Sequence, residues 1–68
     1  MKISRKKLNI ILARKQLQVS ELAEVYGVSR ERMHAILRQD VMSPKCAGRL
    51  AKALDVDVTE ILEDEEVV

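Results

Sequence analysis

Apolar residues recur along this chain at the spacing of helix faces, without the strict alternation of a half-buried strand. Leu8, Ile11, Leu12 and Lys15 share one stripe and predict a helix from about Ser4 to Lys15, with Ser4 placed to cap its first amides. Leu17 packs the connection that follows. Leu22, Ala23 and Tyr26 predict a second helix over about Val19 to Tyr26, and Met33, Ile36 and Leu37 a third, capped by Ser29. Ala47, Leu50, Ala51 and Leu54 fall at i, i+3, i+4 and i+7 and predict a fourth. Ser43-Pro44 starts it, a cap followed by proline at the first helical position, where a missing N–H costs nothing. Asp57-Val58-Thr59-Glu60 has the spacing of a capping box and predicts a short fifth helix carrying Ile61 and Leu62.

The stretch "LAEVYGVSRERMHAILRQ" breaks this pattern once, at Gly27. Glycine ends a helix cheaply because it enters the left-handed region without a Cβ penalty. Val28 then plugs the turn, and the chain restarts with the polar run Ser29-Arg30-Glu31-Arg32. A single amphipathic helix would need no such break. Two helices meeting at a fixed angle would, with the small Ala23 allowing close approach and Met33 and Ile36 seating the second helix on the core. Arg30, Glu31, His34 and Ala35 then point outward near its start, with Arg32 and Arg38 along the flank. A helix presented in this way fits the DNA major groove, its N-terminal residues nearest the base edges.

Composition supports an all-helical domain. The chain has 68 residues, 47% of them hydrophobic, with one Tyr and no Phe or Trp, and only two Gly and one Pro to make turns. That length suits one domain, read as residues 1–63 with its helix-turn-helix at about 19–38 and a short acidic tail over 64–68. Cys46 is the single cysteine, so no internal disulfide is available and a reducing, cytoplasmic setting is expected; beside the inner face of the fourth helix, it reads as a buried small apolar residue. No leader is expected, and the longest apolar run, Ile10-Ile11-Leu12-Ala13, is far short of the ~20 residues of a membrane span.

The net charge of +1 hides a polarity. Residues 1–54 hold all twelve Lys and Arg against four acids, and residues 55–68 hold the other seven acids and no base. A body of +8 carrying an end of −7 offers its basic part to a polyanion, or else simply solvates its helix faces.

The segments "LAEVYGVSRERM" and "SPKCAGRLAKALDVDVTEIL", in register with one another, resemble the Xre-type helix-turn-helix regulators, the family of phage repressors and Cro-like proteins. The likeness runs from about Leu8 to Leu62. It implies a compact five-helix, lambda-repressor-like domain that binds double-stranded operator DNA as a symmetric homodimer. It also implies base reading from the start of the third helix, here Arg30, Glu31 and His34. Phosphate contacts from Ser29 and Arg32 go with it; Arg38, Ser43 and Lys45 are read as further backbone contacts, Lys45 from its place in the first turn of the fourth helix.

The chain departs from the family pattern in places. Where the family commonly has a Ser or Thr cap and a phosphate-binding Gln at the second helix, Gln18 and Val19 stand, so only the helix amides can serve a phosphate there. Where many members pair an Arg with a Glu across the first and third helices, Leu12 and Leu37 imply an apolar contact, a swap that often leaves stability unchanged.

Each site residue has a plainer reading beside the sharp one. Arg30 forks onto guanine O6 and N7, or is solvated; Glu31 accepts from cytosine N4, or favours the helix dipole. Arg49 and Lys52 solubilise the fourth helix. Val56, Val58, Ile61 and Leu62 form a dimer surface or complete the core. The expected protein is thus a stand-alone transcriptional regulator, a repressor of phage or mobile-element type. No nucleophile–base pair, metal ligand set or phosphate-cradling glycine loop points to an enzyme, a metal or a cofactor. The competing readings are an antitoxin that also holds a toxin and a protein-interaction module that does not use DNA; a toxin or an antirepressor is the protein partner left open.

Overall fold

The computed structural model describes residues 1–64: four α-helices, one 3-10 turn and a short N-terminal segment that ties the ends together. Helix α1 (Arg5–Lys15) begins at Ser4, whose hydroxyl accepts from the Lys7 amide at 3.1 Å. It ends at Gln16, in the left-handed region at φ 53° although it is not glycine. Such a residue costs about 1 kcal/mol of local strain, offset here by Leu17, whose amide donates to Leu12 at 2.9 Å.

Helix α2 (Val19–Tyr26) ends at Gly27, φ 91°, and α3 (Arg30–Leu37) restarts at Ser29, whose hydroxyl accepts from the Arg32 amide at 3.1 Å. Helix α4 (Pro44–Leu54) starts as its sequence predicts, with Ser43 accepting from the Cys46 amide at 3.2 Å. Helix α2 packs on both α3 and α4, and α4 packs on the final turn. Leu8, Ile11, Leu22, Met33, Leu50, Leu54 and Ile61 are the largest fully buried side chains and come from all four α-helices and from the residue that follows the 3-10 turn. Each contributes about 1.5–3 kcal/mol by leaving water, so the core dominates the stabilising side.

The fifth helix expected from the capping box is a single 3-10 turn, Val58–Glu60. The box itself is present, the Asp57 carboxylate accepting from the Thr59 amide at 2.9 Å and Glu60 accepting from the Asp57 amide at 3.2 Å. What stops propagation is the use of the next residues elsewhere. Ile61 gives its carbonyl to the Ser4 amide at 2.9 Å, and Leu62 bridges Ile3 in antiparallel fashion. The backbone groups a longer helix would need are already engaged.

That pairing was not foreseen in the sequence. Lys2 also bridges Val41, and the Ile3 amide donates to Asp40 at 2.8 Å, so residues 2–4 lie between the α3–α4 connection and the chain after α4. Ile61 (0% exposed) and Leu62 (3%) are buried in the core, the second of the two readings open to them in the sequence. Val56 and Val58 are half-buried against the same core. Cys46, expected to be buried, is exposed, because α4 turns its Ala47–Leu50–Ala51–Leu54 stripe inward and leaves the preceding residue outside. The acidic tail expected over 64–68 lies outside the described residues from 65 onward. Asp64 itself is held 2.7 Å from the Lys7 ammonium, which also donates to the Leu62 carbonyl at 2.9 Å.

Candidate nucleic-acid interface

Helix α3 is fixed from behind and open in front. Met33 is fully buried, Ile36 nearly so and Leu37 half-buried. At about 100° per residue, the direction opposite this seam is occupied by Glu31, Ala35 and Arg38. All three are exposed, as are Arg30 and Arg32. Arg30 and His34 lie toward the α1 edge of this face and Arg32 toward the α4 edge.

The expected readers are therefore not equivalent. Arg30 and Glu31 stand free at the helix start. His34 is half-buried and lines a shallow depression between α1 and α3 together with Arg5, Leu8, Asn9, Leu12, Leu37 and Arg38. Leu12 and Leu37 both line that depression and are half-buried against the core. Ala35, outward but not assigned a role from the sequence, sits on the central line of the face, where a small apolar side chain suits a thymine methyl.

The residues expected at the DNA backbone lie at helix ends. Ser29 and Ser43 use their hydroxyl oxygens to cap α3 and α4, leaving each hydroxyl proton to donate outward. Lys45, in the first turn of α4, is exposed. Arg38 ends α3 with its side chain exposed, while its carbonyl accepts from the Arg5 guanidinium. The start of α2 is a poor anion site, since the Glu21 carboxylate folds back onto the Gln18 amide at 3.2 Å and already supplies that end with negative charge.

Two side chains do more than their sequence reading suggested. Arg49, read as a solubilising residue, reaches from α4 to the end of α2. Its guanidinium donates to the Tyr26 carbonyl at 2.7 Å and lies 4.2 Å from the centre of the Tyr26 ring. Arg5, given no role from the sequence, joins α1 to the end of α3. Neither contact carries a periodic signal, because each spans more than twenty residues of chain. The one available hint was that Tyr26 is the sole aromatic residue.

Among the described residues, no cluster of His, Cys, Asp and Glu is arranged to hold a metal ion, and no helix is long and apolar enough to cross a membrane. The family model of the Cro/C1-type helix-turn-helix DNA-binding domain matches residues 7–66, nearly the whole chain. The chain belongs to that family, the Xre-type helix-turn-helix, whose business is DNA binding and the regulation of transcription. No curated protein and no solved structure matches it.

Proposed function

We propose that the protein is a sequence-specific regulator, a repressor of phage or mobile-element type, that binds a two-fold symmetric operator as a homodimer. Helix α3 enters the major groove, with Arg30 and Glu31 reading base edges from its first turn and His34 reading from the α1 side. Ser29, Arg32, Arg38, Ser43 and Lys45 hold phosphates and fix the register. The observation that carries this reading is the exposure of Glu31, Ala35 and Arg38 opposite the seam of Met33 and Ile36, with Arg30 and Arg32 exposed along the edges of that face.

A domain this small offers few base contacts alone, so specificity calls for two copies with half-sites about 34 Å apart. Val56 and Val58, half-buried at the edge of the core, are the residues we propose for the dimer surface. Selection of bound duplexes from a random pool tests the whole reading. The expected result is a consensus with two-fold symmetry; a pool that never enriches, or a consensus without symmetry, contradicts it.

A further inference from the structure

The Tyr26 carbonyl closes α2, immediately before the turn that sets the direction of α3. Carbonyls in the last turn of a helix lack partners within the helix, and a cation there is favoured by the helix dipole. Arg49 supplies both a donor, at 2.7 Å, and a charge, stacked 4.2 Å from the Tyr26 ring centre. A methyl group built on Gly27 would lie 3.7 Å from the same Arg49 nitrogen, so the guanidinium also covers the turn residue. Beside it, Arg32 and Ile36 of α3 share a narrow groove with Tyr26, Cys46 and Arg49. One side chain of α4 thus touches the end of α2 and borders α3.

We propose that Arg49 is a positioning residue for DNA reading. By clamping Tyr26 to α4 it sets the tilt of α3 relative to Lys45 and Ser43, and so governs sequence selectivity without contacting DNA itself. This rests on the proposed function for its DNA readout, but the clamp can be tested without DNA. The fold has other support here: Leu22 and Ala23 are buried, and α2 packs on both α3 and α4. Loss of Arg49 therefore changes an angle rather than unfolding the domain.

The test uses the full chain with Arg49→Met, which keeps the apolar stem and removes the charge and donors, and Arg49→Lys, which keeps the charge. Arg49→Met should lower affinity for the selected duplex about tenfold while changing affinity for a scrambled duplex less than about twofold, with the salt dependence unaltered. Arg49→Lys should recover part of the loss. In the DNA-free protein, backbone amide resonances from Gly27 to Arg32 should move in Arg49→Met and move less in Arg49→Lys. Equal losses on both duplexes, with a salt slope reduced by about one per subunit, would instead make Arg49 a phosphate contact and overturn the proposal. A lower melting temperature with unmoved α3 amides and unchanged selectivity would reduce Arg49 to a structural residue and overturn it too. If the unsubstituted protein does not discriminate between the duplexes, the proposed function fails, and the amide shifts still decide the clamp.

Discussion

Arg5, the first residue of α1, donates its guanidinium to the carbonyl of Arg38, the residue that ends α3, and lies 3.6 Å from the Asp40 carboxylate. The two partners are not of equal weight. Asp40 is 82% exposed and Arg5 56%, so their ion pair is screened and contributes little. The bond to the Arg38 carbonyl satisfies a helix end and places a cation at its negative pole.

Arg5→Ala should therefore destabilise the domain by about 1 kcal/mol, and Asp40→Ala by less than about 0.5 kcal/mol. Urea unfolding of both variants measures this. Equal losses would mean that the ion pair, rather than the carbonyl bond, is what Arg5 provides.

Ile61 decides whether the end of the chain is core or interface. It is fully buried and its carbonyl pairs with Ser4. Ile61→Ala should cost about 2–5 kcal/mol by leaving a cavity, and Ile61→Asp should abolish the cooperative unfolding transition by burying an unpaired charge. A folded, monomeric Ile61→Asp protein in circular dichroism and light scattering would return this residue to a dimer surface.

Two carboxylates make the acid limb of stability predictable in direction. The Thr59 amide, with the Thr59 hydroxyl, holds Asp57 below its ordinary value, and Lys7 does the same for Asp64. A carboxyl group whose pKa is lower folded than unfolded contributes in full above the unfolded value, and that contribution is lost as pH falls through the folded value. Stability should thus decline below about pH 4. Asp57→Asn keeps a capping oxygen but does not titrate, so its melts should show a shallower acid limb. Superimposable limbs would show that the Asp57 cap does not contribute.

What the sequence revealed and what it concealed follow from the range of the forces involved. The four helices were legible because caps and periodicity are local: Ser4, Ser29 and Ser43 each bond an amide three residues on, and Gly27 makes its turn alone. Capping at Asp57 and Glu60 was legible for the same reason, but its helix was not, since Ile3 and Ser4 engage Leu62 and Ile61 from the far end of the chain. Within the candidate interface, the exposed start of α3 could be read from the helical stripe of Met33, Ile36 and Leu37. The half-burial of His34 could not, because it depends on where α1 lies. Arg49 is exposed, as a solubilising residue would be, but its contact with Tyr26 was hidden for the same reason, its partner lying on another helix.

The most direct measurement compares Arg30→Ala and Lys45→Ala on the selected duplex and on a scrambled one, over several salt concentrations. Both side chains are exposed, at the starts of α3 and α4 respectively. If α3 reads bases while the start of α4 holds the backbone, Arg30→Ala should cost about 1–3 kcal/mol on the selected duplex and little on the scrambled one, relaxing one base pair in each half-site. Lys45→Ala should weaken both duplexes alike and lower the salt slope by about one per subunit. Equal losses for Arg30→Ala on the two duplexes would contradict the account, showing that the first residue of α3 grips the backbone and that the sequence is read elsewhere.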